Sequence, residues 1–256
     1  MTIHRRKALG ALSAALLAPA RAAAPEFRMA YFETYSPLSF VENGAMRGIL
    51  VDVLDAVLAG QLGLACRHEG FPWPRAQLRV EQGTADAMCT IATAERLAYA
   101  VSCEEPVLSA PTCIFVRAEN PLLPALARAG SLEELRALKP AILSYSANGW
   151  AREKLKGFDV TWGGDFNSAM KMLVARRGDI MIENALTMSY TLQRTRGGEE
   201  IRMLPNRMDQ ANFQLLLGKT SPHMARRDDI RRALAQFKRT QQYADVFRRY
   251  GLSVIR

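Results

Sequence analysis

Thr90, Thr93 and Arg96 recur every third residue at the end of the stretch Ala85-Asp-Ala-Met-Cys-Thr-Ile-Ala-Thr-Ala-Glu-Arg96. Two hydroxyls and a guanidinium in that order can hold a carboxylate, because arginine supplies a planar fork of donors. The run from Ala85 to Ile91 predicts a short buried strand, with Gly83 closing the element before it. Thr93 then caps a new helix, its hydroxyl accepting from a first-turn N–H. Arg96 falls in that first turn, where the helix dipole disfavours a cation. An anion at the same place, also contacting the first-turn amides, would explain it. The alternative reading is a surface arginine on a capped helix.

Such residues need a scaffold, and the pattern around them supplies one. Phe27 to Phe32 predicts a first strand, broken by Thr34-Tyr-Ser-Pro37. Gly48 to Leu62 has helical periodicity, with Gly63 after its last turn. Leu64 to His68 predicts a second strand, Pro72-Trp-Pro74 a stiff loop, and the residues up to Gln82 a helix. Strands alternating with helices imply a doubly wound, mostly parallel sheet, with ligands off the carboxyl ends of the strands. Tyr35, Trp73 and Arg96 all belong to that end. A strand at Thr112 to Arg117 is followed by a second series of the same kind. Its strands are Pro140–Ser144, Val160–Trp162 and Gly178–Ile182, and its helices are Ser131–Leu138, Gly149–Leu155, Asn167–Arg176 and Leu186–Gln193. Phe213 to Leu217 is a further strand, and two basic helices run to Tyr250. The expectation is two similar α/β lobes, 23–118 with 213–256 and an inserted 119–212. Strands near 112–118 and 213–218 would form a hinge.

The N-terminus reads as an address. His4-Arg-Arg-Lys7 is a basic segment, Ala8 to Ala18 an apolar one, and Ala20-Arg-Ala22 fits a signal-peptidase site. Cleavage is expected after Ala22, since a cut after Ala24 would place Pro25 next to the scissile bond. Arg5-Arg6 with Leu9 also resembles an incomplete twin-arginine signal. No cysteine follows the apolar segment, so no lipid anchor is expected. The chain of 256 residues carries nine net positive charges, and the leader takes four of them away. Much of the rest lies in Arg226-Arg227, Arg231-Arg232, Lys238-Arg239 and Arg248-Arg249. These recur at helical spacing and read as a solvated face, not a nucleic-acid patch. Cys66, Cys89, Cys103 and Cys113 are available for pairing in an exported protein. Cys103 with Cys113 is the best pair, and Cys66 and Cys89 read as core residues. The leader removed, the chain keeps only His68 and His223, with no Cys-x-x-Cys, so no zinc site is expected.

In this order the motifs resemble the bacterial family 3 extracellular solute-binding proteins, the polar amino-acid-binding type. Tyr35-Ser-Pro-Leu-Ser-Phe40, Asn43-Gly44 and Gly48-Ile-Leu-Val-Asp52 match its first segments. Trp73 has the family's spacing from its stacking aromatic to the Gly83-x-x-Asp86 strand. Thr93-Ala-Glu-Arg96 matches its T-x-x-R, whose arginine clamps a ligand carboxylate, and Gly178-Asp179 echoes a second-lobe strand entry. The resemblance covers nearly the whole chain beyond the leader.

Three features depart from the family's pattern. The segment from Asp86 to Arg96 is shorter. The second-lobe turn reads Ser144-Tyr-Ser-Ala-Asn-Gly-Trp150, which adds two aromatics. The family's acid for the ligand ammonium falls on Asn184, with Glu183 one residue short. Successive strand residues face opposite ways, so Glu183 reaches the cleft only if the strand has ended.

The resemblance implies a periplasmic binding protein that closes on a small carboxylate-bearing ligand and delivers it to an inner-membrane ABC permease. No cofactor or metal is expected, no enzymatic activity, no nucleic-acid partner, and a monomer. The ligand contacts expected are Arg96, Thr93, Thr90, Trp73, Tyr35, Glu183, Asn184, Tyr145 and Trp150. Asp52 and Asp86 read as structural. Two alternatives stand beside this: an enzyme like the cyclohexadienyl dehydratases, with Glu183 or Glu33 as general acid, and a sensory or accessory binding protein.

Overall fold

The computed structural model describes residues 25–255, so the leader assigned to 1–22 lies outside the described residues. β1 (Phe27–Phe32) opens the chain, and β2 (Thr34–Tyr35), β3 (Ser39–Glu42) and β4 (Ala45–Arg47) form a small antiparallel sheet beside it. β5 (Cys66–Phe71) and β6 (Ala87–Ile91) follow, then the long β7 (Ala100–Arg117). β8 (Ile142–Tyr145), β9 (Val160–Gly163) and β10 (Ile180–Asn184) make up the second series. β11 (Ile201–Gly218) returns the chain to the first.

The strand order is β5-β1-β6-β11-β7-β10-β8-β9. Its two halves are built alike. Parallel β5, β1 and β6 are closed by antiparallel β11. Parallel β9, β8 and β10 are closed by antiparallel β7. The expected short hinge strands are in fact two 18-residue strands that pair with each other from Ile201↔Arg117 to Gly218↔Ala100. They carry one hydrogen-bonded array through both halves. Pro106 and Pro111 concealed β7 in the sequence, because proline donates no ladder hydrogen bond. The structure accommodates Pro106 where the β7–β11 register shifts, between Phe213 and Gln214.

Period-two alternation sends side chains to both faces of each half. Phe27, Met29 and Tyr31 join one cluster with Val53, Leu234 and Phe247 from the flanking helices. Ala30 faces the other way, onto Ala76, Val80 and Met88. In the second half Phe115, Leu143 and Met181 pack on Met170 and Leu173. Ile114, Val116, Ile142 and Ile180 face Leu126 and Leu135 on the opposite side. Helices on both faces of a mostly parallel sheet make this the expected α/β, doubly wound architecture in two similar halves.

Local differences have local causes. The helix from Gly48 is α-helical over Ile49–Asp55 and continues with π geometry over Ala56–Gln61. Gly48 has φ 125°, and a side chain there would collide with the Leu38 carbonyl. Pro72-Trp-Pro74 is not a loop: Trp73 is the first residue of the helix Trp73–Glu81. Pro74 sits in its first turn, where the missing N–H costs nothing. Arg227, Lys238 and Arg249 reach across to Glu104, Glu105 and Asp52, while Arg226, Arg231, Arg232 and Arg248 pair with acids one turn away on the exposed side of the last two helices. The latter form the solvated face expected here. None of the described helices is long and apolar enough to cross a membrane.

All four cysteines are free thiols. The expected Cys103–Cys113 disulfide is absent because both residues lie on β7. Ten steps along a strand at about 3.3 Å each far exceed the Cα separation that a disulfide spans.

Candidate ligand-binding cleft

β6 ends at Ile91 and the helix Ala94–Tyr99 begins at the Thr93 cap, where Arg96 N donates to Thr93 Oγ1 at 3.4 Å. The short turn leaves the Arg96 side chain free to fold back along the strand end. Its Nε donates to Gln77 Oε1 at 2.9 Å and its Nη1 to the Ile91 carbonyl at 2.9 Å. Its guanidinium lies 5.1 Å from the Trp73 ring centroid. Burial pulls the Arg96 pKa down, with Tyr99 and Glu95 acting the other way. A guanidinium has five N–H donors and stays charged even when partly buried. Arg96 makes no ion pair among the described residues, and its Nη2 has no hydrogen-bond partner there.

That guanidinium faces a cavity of about 630 Å³ at the carboxyl ends of the strands. Thr90, Trp73 and Tyr35 line it on the same side as Arg96. Phe32 links the aromatic wall, 6.0 Å from Tyr35 and 6.3 Å from Trp73 between ring centroids. Tyr145, Asn148, Asp165 and Phe166 line the cavity from the second half, with Tyr145 and Phe166 edge to face at 5.7 Å. Thr187 also lines it. Burial, with the Glu183 charge behind it, pushes the Tyr35 hydroxyl up to about 12. Burial and the Glu183 charge, with a further contribution from Tyr35, push the Tyr145 hydroxyl up further.

The structure thus gathers Arg96, Thr90, Trp73, Tyr35 and Tyr145 around one cavity and leaves four of the expected residues off its wall. Thr93 is exposed and its hydroxyl is occupied by the helix cap. Trp150 is the second residue of the helix Gly149–Lys154, which turns it onto the second-half core. Its Nε1 donates to Asp209 Oδ2 at 2.6 Å. Glu183 is still within β10 and lies just behind the wall, where Asn148 Nδ2 donates to its Oε1 at 2.6 Å. Burial pushes Glu183 up to about 8, against the hydrogen bonds from Asn184 and Asn148. Asn184 caps the helix Ala185–Leu192, its Oδ1 accepting from Leu186 N and Thr187 N. Glu33, between β1 and β2, does not line the cavity either.

Asn148, Asp165, Thr187 and Gln77 were not singled out in the sequence. Asn148 and Asp165 each precede a helix and cap it, accepting from Ala151 N and Ser168 N. That much a capping pattern could have shown. Gln77 and Thr187 carry no local signal, since only packing aims them at Arg96 and the cavity.

Comparison with known proteins places this geometry. No curated protein matches the sequence. Among solved structures, a histidine kinase sensor domain with similarity to periplasmic binding proteins superposes with a TM-score of 0.68 at 18% identity, covering 92% of this chain and 100% of its own. The arginine-, lysine-, histidine-binding protein ArtJ from Geobacillus stearothermophilus gives 0.62 at 17% identity, covering 90% and 96%. The ancestral amino acid-binding protein AncCDT-1, a precursor of cyclohexadienyl dehydratase, gives 0.63 at 19% identity, covering 88% and 95%. At these identities the likeness concerns the fold. The sequence model of one family matches residues 27–253, nearly all of the described chain, and the protein belongs to that family, the bacterial extracellular solute-binding proteins, family 3.

Proposed function

We propose that the protein captures a small carboxylate-bearing solute with an apolar or aromatic body. It does so between two lobes, 23–118 with 213–256 and 119–212, and delivers the solute from the periplasm to an inner-membrane ABC permease. The observation that carries this reading is Arg96. Its guanidinium is stacked on Trp73 and fixed by Gln77 and the Ile91 carbonyl, yet among the described residues it has no anionic partner, and Arg96 lines the cavity. A half-buried guanidinium held in that way gains most from a carboxylate that enters from solution. Thr90 adds a hydroxyl beside it, and Trp73, Tyr35 and Tyr145 supply aromatic faces for the body. Closure is a rotation of the second half about β7 and β11 that brings Tyr145 and Asn148 onto the ligand.

A melting-temperature screen of carboxylates tests this. A ligand of the cleft raises the melting temperature with the logarithm of its concentration, and Arg96→Ala removes the effect. Recovery of the ligand unchanged after incubation supports binding over turnover. A screen in which only uncharged sugars or metal ions stabilise the protein would overturn the reading.

A further inference from the structure

Among the described residues, two charged side chains line the cavity, and they have opposite signs. Arg96 belongs to the first half. Asp165 belongs to the second, in the turn between β9 and the helix Phe166–Val174. Gly163 lets the end of that strand lie against the helix, because a Cβ there would meet Ala169 N at 3.0 Å. The turn is short, so the carboxylate is fixed at the helix start, where Asp165 Oδ1 accepts from Ser168 N at 2.7 Å.

A carboxylate has two oxygens and about four acceptor positions, so the cap leaves Asp165 able to accept more. The Ser168 N–H and side chain do most to lower its pKa, and Lys171 and the Asn167 N–H add to this against desolvation. Asp165 is therefore ionised at neutral pH, and it makes no ion pair among the described residues. Tyr145 and Phe166 line the same wall, edge to face at 5.7 Å. Aromatic faces attract a cation, as the carboxylate does.

Closure changes what this charge is worth. While the cleft is open, water screens Asp165. As the halves approach, water leaves and charge interactions strengthen. A ligand whose carboxylate sits on Arg96 then shares the cavity with the Asp165 carboxylate. A second anion on that ligand would be repelled, an uncharged end would leave Asp165 desolvated without a partner, and a cation would pair with it. The cation must lie away from the ligand carboxylate, because Arg96 and Asp165 stand apart. The charges that act on Arg96 are those of Tyr99 and Glu95, not that of Asp165.

We propose that Asp165 is a second ionic anchor of the cleft, and that the ligand carries a positive group at the end of its body remote from the carboxylate. This rests on the carboxylate reading of Arg96 and deepens it by assigning the charge of the ligand's far end.

Three matched series test it by calorimetry, each varying only the far end. They are 6-aminohexanoate, hexanoate and hexanedioate; L-lysine, L-norleucine and L-2-aminohexanedioate; and 4-(aminomethyl)benzoate, 4-methylbenzoate and benzene-1,4-dicarboxylate. In at least one series the amine binds tightest, about tenfold or more above the diacid, with the uncharged member between. Asp165→Asn keeps the helix cap, since asparagine caps as well as aspartate, and removes the charge. It weakens the amine, strengthens the diacid and brings the two within about threefold. Arg96→Ala weakens every member. An uncharged or dianionic member binding tightest, an order that survives Asp165→Asn, or no binding in any series would each overturn the proposal. Equal weakening of all three members by Asp165→Asn would also overturn it, since Asp165 would then serve closure and not the ligand. If another carboxylate depends on Arg96 and not on Asp165, this inference alone fails. If no carboxylate depends on Arg96, the reading beneath it fails too.

Discussion

Asn148 Nδ2 donates to Glu183 Oε1 at 2.6 Å, joining the cap of one second-half helix to the last strand before another. The pair is buried, and among the described residues no cation accompanies the carboxyl. With its value pushed up to about 8 by burial, Glu183 holds a proton in the folded state that it releases in the unfolded one. Its contribution to stability is therefore complete below the ordinary glutamate value and is lost as pH rises toward 8. Glu183→Gln keeps an oxygen for Asn148 and removes the titration. Urea unfolding from about pH 5 to about pH 8.5 should show the wild type losing stability relative to Glu183→Gln, by at most about 1.4 kcal/mol per pH unit. Parallel curves would mean that the carboxyl is already ionised at the acid end.

Arg96 and Trp73 should behave as one unit. Arg96→Lys keeps the charge but loses the fork, and should weaken binding of a carboxylate found in the screen by roughly 1.5–3 kcal/mol. Trp73→Leu should cost roughly 0.5–2 kcal/mol. Because the side chains touch, the double variant should fall short of the sum. Calorimetry on the four proteins measures this, and unchanged affinity in Arg96→Lys excludes it as the clamp.

Asp86 anchors the strand that leads to Arg96. It is 1% exposed and accepts from Arg28 N at 2.8 Å, Arg28 Nε at 3.0 Å and Ser221 Oγ at 3.2 Å. Burial alone would raise its pKa, but the hydrogen bonds and charge of Arg28 prevail and hold it below the usual carboxylate range. Its stabilisation is therefore present above the ordinary aspartate value and lost as pH falls through the depressed one. Asp86→Ala should destabilise the fold by about 3 kcal/mol at neutral pH, with a smaller effect in acid. A denaturation midpoint within error of wild type at neutral pH would rule out that role.

The thiols offer a covalent check. Thiol titration without reductant should find four free sulfhydryls per chain in denaturant. It should find slow reaction in the native state, because Cys89, Cys103 and Cys113 are buried. Two reactive thiols in denaturant would reveal a disulfide that this structure does not contain.

The sequence by itself determined the features that depend on neighbouring residues. The Thr93 cap, the strand before it, the repeated β-α series and the turn back toward Arg96 are all set by local hydrogen bonding and periodicity. The pairs of Arg231 and Arg232 were equally legible, because their partners lie one turn away, whereas those of Arg227, Lys238 and Arg249 with Glu104, Glu105 and Asp52 were not. Tertiary structure decided the rest. The length of β7 and β11 depends on their pairing with each other across about a hundred residues, which outweighs two prolines. Trp150 left the cleft because Asp209, far along the chain, accepts from its indole. Thr187 entered it because two separate cores grip the other faces of its helix. A period in the sequence says which residues share a face, and only the packed neighbours say what that face meets.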